Sequence, residues 1–354
     1  HQPKTLKMNS FAVLILAFAA VVSGGNIRGS NLHDRAYYEE KFFNWLAEHK
    51  LTPQSGEHFV KMLENFANND DIIEHTNGLK LSYTLGHNQF SAMTLEEWKQ
   101  YIKLGLDKPS TDSQPASIHE APSDLSTLPT SVDWVTAGYV TGVKDQGSCG
   151  SCWSFSTTGS LEGAYKKKYG TLKSFSEQNF VDCDTLTNGG RDHGCNGGLM
   201  DNAFTWAKKN GGVCSEADYA YYSGTTKSAG TCAQSKCTID AKVAPVSYTD
   251  VTTNSDAALM SALAQQPVSV AIEADQSAFQ LYKSGVFTAA CGTNLDHGVL
   301  AVGYGTLNGV DYYKVKNSWG VTWGMDGYIL LQRGVSQKQG QCGILSGPPS
   351  YPNL

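Results

Sequence analysis

The first third of the chain mixes charged and apolar residues at a helical period. The stretch Glu57–Ile73 places Phe, Met, Leu and Ile on one face, which predicts an amphipathic helix inside a mostly helical segment, 35–104. Thr94 is placed to cap a further helix that has acidic residues in its first turn. The next stretch, 103–126, is rich in Pro, Ser and Asp and predicts an exposed linker.

From residue 128 onwards the pattern is first helical and then strand-like. A helix is predicted to begin at Cys152 and to end at Gly170, and two more follow, one capped by Ser176 and one over Leu199–Asn210. Later stretches are short, rich in β-branched and aromatic residues and separated by Gly, which predicts strands over Val268–Ile272, His297–Tyr304, Asp311–Val315 and Gly327–Gln332. Helices followed by strands indicate an α+β fold with two lobes.

An apolar run near the start of the chain, Phe11–Val22, follows Lys4, Lys7 and Met8 and precedes small residues. This arrangement predicts a secretory signal peptide over 1–25 with Met8 as the initiator, because the run is too short to cross a bilayer as a helix. A buried core helix is the alternative. No other apolar run approaches the length of a membrane span, so the processed protein is expected to have no membrane partner.

Charge and cysteine content narrow the function. The net charge is −6 and the longest basic run is Lys166–Lys168, which argues against nucleic acid as a partner. All nine Cys lie after residue 127. Export would permit disulfides, so four bridges and one remaining thiol are predicted, although spacing alone cannot assign the pairs. Cys and His could instead bind zinc, but an oxidising compartment argues against a metal site, and no cofactor is expected.

The run Gln146–Ser154, QGSCGSCWS, contains the candidate nucleophile. Cys152 is predicted at a helix N-terminus, where N–H groups and a partial positive charge favour the thiolate. Taken alone, the pattern from Cys149 to Cys152 is also the CxxC of disulfide oxidoreductases. His297, one of only two His after residue 127, begins an apolar strand that can aim an imidazole at the thiol.

Two further residue types complete an arrangement for acyl transfer. Asn317, in the run KNSWG, can accept a hydrogen bond from the imidazole and fix its tautomer. Gln146 and the backbone N–H of Cys152 are placed to stabilise the oxyanion of a tetrahedral intermediate. Trp319 and Trp323 lie four residues apart in a Gly-rich turn and would be two ordinary core indoles on the residues alone. The family resemblance named next implies instead that Trp319 shields the His–Asn bond from water, which strengthens it.

Together these residues resemble the papain/cathepsin family of cysteine proteases, and the cathepsin L-like branch in particular. His297 lies 145 residues after Cys152 and Asn317 lies 165 after it, slightly beyond the roughly 130–150 of the family signature. The resemblance implies a papain-like fold over 128–354, with a helical left lobe and an antiparallel, β-barrel-like right lobe. It implies a helical inhibitory propeptide over 26–127, for which a plain N-terminal helical domain is the alternative.

The leader matches the family's propeptide motifs only in part. The second half of the helical motif, F-x2-N-x3-I-x3-N, is present, whereas His58 and Met62 stand where Glu and Arg are usual. Gly86, Asn88 and Phe90 fit the motif G-x-N-x-F-x-D, but Ala92 replaces its Asp. In the family that Asp is tied to acid-triggered release, so its loss puts self-activation at low pH in doubt.

The resemblance also implies where a substrate binds. Gly197 and Gly198 would pair with an extended peptide, because missing Cβ atoms allow close approach. An uncharged pocket would accept a bulky apolar side chain at the second position before the scissile bond; its residues are Leu199, Met200, Ala271, Leu295 and Gly347. No insertion of the kind that blocks the cleft in exopeptidases follows Gly198, so an endopeptidase is expected.

Disulfides, partners and location follow by the same route. The family's bridges would be Cys149–Cys195, Cys183–Cys232 and Cys291–Cys342, with Cys214–Cys237 as an extra one in which Cys232 and Cys237 could exchange roles. The expected partners are protein and peptide substrates, the chain's own propeptide and cystatin-like inhibitors, and the expected state is a secreted, lysosomal or vacuolar monomer. A disulfide oxidoreductase and a catalytically inactive binding homologue stay as alternatives.

Overall fold

The computed structural model describes residues 31–102, 106 and 114–354. The predicted signal peptide, 1–25, and most of the first half of the predicted linker lie outside the described residues. The helices and strands are numbered below in chain order.

The described residues before 128 are called the N-terminal segment below. This segment contains three helices, α1 (Arg35–Glu48), α2 (Gly56–Gly78) and α3 (Leu95–Ile102). The amphipathic helix predicted over 57–73 is present and runs one turn further at its C-terminus. Helix α3 has the predicted cap, since Thr94 Oγ1 accepts the N–H of Glu97 at 3.1 Å while Glu97 returns a bond to the Thr94 N–H at 3.0 Å. Aromatic side chains join α1 to α2 in a small core of their own.

The three helices predicted after residue 128 are present. They are α4 (Cys152–Tyr169), α5 (Glu177–Cys183) and α6 (Met200–Asn210), followed by α7 (Ser223–Thr226), α8 (Asp256–Leu263) and α9 (Ser277–Gln280). Gly170 ends α4 in a left-handed conformation with φ 74°. A Cβ on Gly159 would meet Leu300 at 2.7 Å and one on Gly163 would meet Pro267 at 2.7 Å, so these glycines let α4 pack closely against the sheet.

A ten-stranded sheet forms the other half of the described structure, in the order β1-β6-β9-β8-β7-β5-β10-β4-β2 with β3 paired to β7. The strands are β1 (Tyr83–Leu85), β2 (Ser117–His119), β3 (Val132–Asp133), β4 (Ser247–Val251), β5 (Val268–Ile272), β6 (Tyr282–Phe287), β7 (His297–Leu307), β8 (Val310–Lys316), β9 (Tyr328–Gln332) and β10 (Ser350–Asn353). The four predicted strands are β5, β7, β8 and β9, within a few residues. The α+β prediction is confirmed, and α4 lies between the helical lobe and this sheet.

Both edges of the sheet are completed by the N-terminal segment. Strand β1 pairs antiparallel with β6, and β2 pairs parallel with β4, where Ser117 faces Thr249. The linker predicted over 103–126 is exposed at Ser117 and Ile118, as expected, but a strand at Ser117–His119 was not predicted. These three residues gained backbone hydrogen bonds from an open edge that the sequence of the linker could not reveal.

Among the described residues, no helix combines the length and the apolar character needed to cross a membrane.

Candidate active site

Cys152 opens α4 at the junction of the two lobes. Its side chain is fully buried, and its Sγ accepts the backbone N–H of Gly298 from β7 at 3.2 Å. Cys149 is bridged to Cys195, which leaves Cys152 as the one described Cys outside a disulfide. A redox cycle between Cys149 and Cys152 would first have to break that bridge, so the geometry disfavours the oxidoreductase alternative.

His297 and Asn317 are joined by the predicted hydrogen bond. His297 Nε2 donates to Asn317 Oδ1 at 2.8 Å, and the same oxygen accepts the N–H of Ser318 at 2.8 Å. Because Nε2 is occupied, Nδ1 is the ring nitrogen available to exchange a proton with the thiol. The indole of Trp319 is fully buried and stacks on the imidazole at 4.6 Å, which matches the shielding expected of it.

Gln146 is held beside the start of α4 by hydrogen bonds at both ends of its amide. Its Oε1 accepts from Ser318 Oγ at 2.6 Å, and its Nε2 donates to the carbonyl of Cys149 at 3.0 Å. Its backbone N–H donates to the Ser318 carbonyl at 2.8 Å. One amide hydrogen remains beyond the bond to Cys149, which is the hydrogen that an oxyanion would need.

Burial favours the neutral forms of the Cys152 thiol and the His297 imidazole in this structure. Desolvation raises the pKa of Cys152 to about 12, although the Gly298 N–H opposes the shift. Desolvation lowers the pKa of His297 to about 4, although the bond to Asn317 opposes that shift. The ion pair that the helix N-terminus predicts for this thiol stays a prediction for the site without the N-terminal segment, where water would stabilise both charges.

The cover comes from the N-terminal segment. Trp98 packs edge-on against Trp319 with ring centres 5.0 Å apart, and its indole N–H donates to the carbonyl of Ala274 at 2.9 Å. Gln89 Nε2 donates to the Trp319 carbonyl, and Tyr101 OH donates to the carbonyl of Gly147 at 2.8 Å. The segment thus contacts the loops on both sides of the Cys–His pair.

The predicted substrate residues lie beside the same junction. A Cβ on Gly347 would meet Leu295 at 2.7 Å and Ala271 at 3.6 Å, so these three residues share one wall. Met200 Sδ lies 3.2 Å from the position of a Cβ on Gly298. Leu199 precedes the first turn of α6. Sequence reasoning found each of these residues through the resemblance; the structure places Ala271, Leu295 and Gly347 side by side and Met200 in the same apolar cluster as Ala271.

Gly197 and Gly198 have different structural reasons to be Gly. Gly197 has φ 111°, a conformation that a side chain would strain. A Cβ on Gly198 would meet the ring of Trp153 at 2.5 Å and the carboxyl carbon of Asp192 at 2.8 Å. The missing side chain of Gly198 therefore allows the backbone at this position to lie directly on Trp153 of α4.

A buried ionic cluster behind the site had no counterpart in the sequence analysis. Lys144 Nζ lies 2.6 Å from Glu177 Oε1 and 3.3 Å from Glu162 Oε1, beside a cavity of about 20 Å³ that Lys316 and Asn317 also line. Burial opposes the charge of Lys144, but the two carboxylates hold its pKa above its usual value. The four charged residues are far apart in sequence, so no motif could have indicated the cluster.

The disulfides implied by the resemblance are all present: Cys149–Cys195, Cys183–Cys232, Cys214–Cys237 and Cys291–Cys342. The alternative in which Cys232 and Cys237 exchange partners is not adopted. Within the described residues, no group of His, Cys, Asp and Glu side chains is arranged to hold a metal ion.

Comparison with known families gives two matches along the chain. A model of papain family cysteine proteases matches residues 128–351, and a model of the cathepsin propeptide inhibitor domain (I29) matches residues 42–98. A curated relative, "Probable cysteine protease RD21B" of Arabidopsis thaliana, is 49% identical over 87% of this chain. The match covers 65% of that relative, so this chain spans somewhat less than two thirds of its length.

Solved precursors have the same architecture. "Recombinant stem bromelain precursor" is 38% identical with a TM-score of 0.80, covering 90% of this chain and 99% of that one. "Structure of digestive procathepsin L 3 of Tenebrio molitor larval midgut" is 34% identical with a TM-score of 0.77, covering 90% of this chain and 99% of that one.

Proposed function

Because this chain belongs to the papain family of cysteine proteases, made with an inhibitory propeptide, we propose that it cleaves peptide bonds through Cys152, His297, Asn317 and Gln146. The observation that carries the proposal is the junction of the lobes, where the sulfur at the start of α4 meets the first residues of β7. His297 is in turn oriented by Asn317 at 2.8 Å. This is the nucleophile, base and orienting group of thiol catalysis.

The reaction proceeds in two halves. With the cover removed, the thiolate of Cys152 attacks the scissile carbonyl, a C–S bond forms, and the oxyanion accepts hydrogen bonds from Gln146 Nε2 and the Cys152 N–H. His297 gives its Nδ1 proton to the leaving amine as the C–N bond breaks. Water then attacks the acyl-enzyme while His297 takes its proton, the acid product leaves, and the thiolate–imidazolium pair is restored.

The pocket residues support a preference for a bulky apolar side chain at the second position before the scissile bond. Ala271, Leu295 and Gly347 form an uncharged wall, and Met200 belongs to the same apolar cluster as Ala271. Leu106 of the N-terminal segment packs against that cluster. An apolar side chain of the N-terminal segment therefore packs against the cluster to which Met200 and Ala271 belong.

The proposed life history follows from the same features. Residues 1–25 would direct export, 26–127 would inhibit the enzyme until removed, and 128–354 would form a monomeric endopeptidase. Four disulfides support an oxidising compartment, secreted or vacuolar and lysosome-like. Cystatin-like proteins are proposed as external inhibitors, because the cleft that the N-terminal segment covers would be open after processing.

A labelling experiment tests the assignment. The processed enzyme is treated with a peptidyl epoxide that alkylates thiolates, and the modified residue is mapped by mass spectrometry. We expect one equivalent of label on Cys152, loss of peptide hydrolysis in proportion, and neither label nor activity in Cys152→Ala. Alkylation of another residue, or peptide hydrolysis that survives in Cys152→Ala, would overturn the assignment.

A further inference from the structure

Two buried carboxyl groups, Asp184 and Asp192, lie at the base of a surface loop next to Gly197–Leu199, the proposed peptide-binding segment. Asp184 follows α5 and Asp192 precedes the run that ends at Leu199; both side chains are almost completely buried. Asp184 Oδ1 accepts the N–H of Arg191, the residue before Asp192, and a backbone bridge joins Thr185 to Asp192, so the two carboxyl groups are held side by side. Two carboxylates hold only acceptors, so a hydrogen bond between such neighbours requires a proton on one of them.

The hydrogen bonds of the two groups leave one oxygen of each for that proton. Asp192 Oδ1 accepts the N–H of Leu199 at 3.0 Å and Asn202 Nδ2 at 2.9 Å, and Asp184 Oδ1 accepts the N–H of Arg191 at 3.1 Å. The other oxygen of each, Oδ2, is buried without a donor from any described residue. A proton on Asp192 Oδ2, donated to Asp184, satisfies both groups at once.

Asp192 is hydrogen-bonded directly to Gly197–Leu199, the segment that would bind the peptide. Its hydrogen bond fixes the N–H of Leu199, and its carboxyl carbon lies where a Cβ on Gly198 would be only 2.8 Å away. The carboxyl group of Asp184 packs against the loop backbone at Gly190, where a Cβ would meet Asp184 Oδ1 at 2.0 Å. Neither carboxyl can withdraw without moving the backbone of the loop.

We propose that Asp184 and Asp192 act as one acid pair that shares a proton and thereby positions Gly197–Leu199, so that the enzyme binds peptides less tightly once that proton is lost. This inference rests on the proposed function of Gly197–Leu199 in binding the peptide. With the proton gone, two adjacent negative charges are buried together. Their repulsion pushes Asp192 away from Asp184 and carries the Leu199 N–H with it.

The surroundings offer little compensation for a second charge. Desolvation is the largest influence on both groups; it raises the pKa of Asp184 to about 7 and that of Asp192 well above its usual value. The other charged or titratable side chains of α5, the loop and α6 are Glu177, Asp182, Arg191, His193, Asp201, Lys208 and Lys209. Asp182 accepts hydrogen bonds from Tyr219 and Tyr222, and Lys209 Nζ donates to the Gly189 carbonyl. None of these seven side chains is among the main influences on the pKa values of the pair.

The test separates KM from kcat as a function of pH in the processed enzyme. For the wild type we expect KM for an apolar peptide to rise about tenfold between about pH 6 and pH 8.5, the change that loss of one hydrogen bond at a charged group can produce. Asp192→Asn keeps the acceptor for Leu199 and replaces the shared proton with an amide hydrogen. It should hold KM near its acid value throughout. Asp192→Ala should raise KM at every pH, and the exposed Asp218→Asn should follow the wild type.

A second variant and a second measurement guard against a folding defect. Asp184→Asn should also flatten the KM profile, because its amide can donate to Asp192. In the uncleaved precursor of the Cys152→Ala variant, the infrared band of a protonated carboxyl group should weaken when Asp192→Asn is added. A wild-type KM that does not change with pH, or the wild-type slope in both Asn variants, would overturn the inference. Normal epoxide labelling of Cys152 in the same preparations would show that the proposed function stands even then.

Discussion

Asn317 is held from two sides and has little freedom to turn. Its Oδ1 accepts from His297 and from the Ser318 N–H, and its Nδ2 is buried with no partner among the described residues. An amide so fixed presents the imidazole with a single acceptor at a single position. Asn can do this without adding a charge that would disturb the Cys152–His297 pair.

Replacing Asn317 by Ala tests this orienting role. The hydrogen bond raises the pKa of His297, so its loss should lower that pKa and move the alkaline limb of the kcat/KM profile to lower pH. We expect kcat to fall about tenfold to a hundredfold, the range for a buried hydrogen bond to a charged group. Steady-state kinetics over pH, with epoxide titration to count active sites, provide the measurement.

A matched variant is Asn353→Ala, which removes an amide that bonds only Ser247 and Thr249 in the sheet. It should leave kcat and its pH profile unchanged. If Asn317→Ala behaved in the same way, Asn317 would have no part in the mechanism.

Residue-level chemistry was the most predictable part of the molecule. The QGSCGSCWS run and the residues around His297 and Asn317 each have a local pattern, and the predicted His–Asn bond and the four disulfides are present. The cluster of Lys144, Glu162 and Glu177 was missed, because its members come from a loop and two helices whose meeting depends on the fold. The catalytic roles of Cys152, His297, Asn317 and Gln146, and the supporting role of Trp319, remain proposals.

At the scale of elements, the N-terminal segment depends on a few anchors. Trp98 of α3 is fully buried between Trp319 and the Ala274 carbonyl. Phe90 lies edge-on to the indole of Trp319, with ring centres 5.7 Å apart. The motif residue Asn88 also donates from Nδ2 to the Gln280 carbonyl at 2.8 Å. Latency should therefore be sensitive to these contacts more than to the exposed faces of α1 and α2.

Trp98→Ala should weaken the cover. Truncating a buried Trp typically costs about 3–5 kcal/mol, and here part of that loss falls on the contact with Trp319. We expect the intact precursor to react with the epoxide at Cys152 much faster than the wild-type precursor. Phe43→Ala, which truncates a partly exposed ring of α1, is the control and should leave labelling slow. Equal labelling of the two variants would show that Trp98 does not secure the cover.

Elements were predicted where their own periodicity was strong and missed where pairing created them. Helix α5 follows from its Ser176 cap, helices α4 and α6 from the glycines that end them, and β5 was predicted with its observed bounds. Strand β2 owes its structure to an open edge of β4, which lies over 120 residues away in the chain. Ala92 shows the same limit: with Met62 it packs against the apolar core between α1 and α2, where the family motifs have charged residues.

At the scale of the whole molecule, folding raises the pKa of several partly buried carboxyl groups above the value in the unfolded chain. Desolvation raises the pKa to about 6 for Asp201, about 7 for Asp250 and Glu216, and about 8 for Asp296. A group whose folded pKa is raised contributes most stability below its unfolded pKa and loses that contribution as the pH rises through the folded value. The fold should therefore be more stable in mild acid than at alkaline pH.

Urea unfolding of the Cys152→Ala precursor provides the check. We expect the free energy of unfolding to increase as the pH falls from about 8 to about 6.5, a range in which the unfolded carboxyls are already ionised. Below about 6.5 the gain should level off, because burial lowers the pKa of His49, His119 and His297 and their protonation favours the unfolded chain. Stability that instead fell steadily from pH 8 downwards would contradict this balance.

The two strand pairings of the N-terminal segment have a consequence for its removal. One attachment, β1 on β6, precedes the stretch around Leu106, and the other, β2 on β4, follows it. A single cut within that stretch would sever the chain, yet each piece would stay paired by its strand to its own edge of the sheet. The piece bearing α1, α2 and α3 could then dissociate, while the shorter piece stayed covalently joined to residue 128 and clamped along β4. Maturation would accordingly be a sequence of separate events, in which the cleft opens first and the new N-terminus is trimmed later.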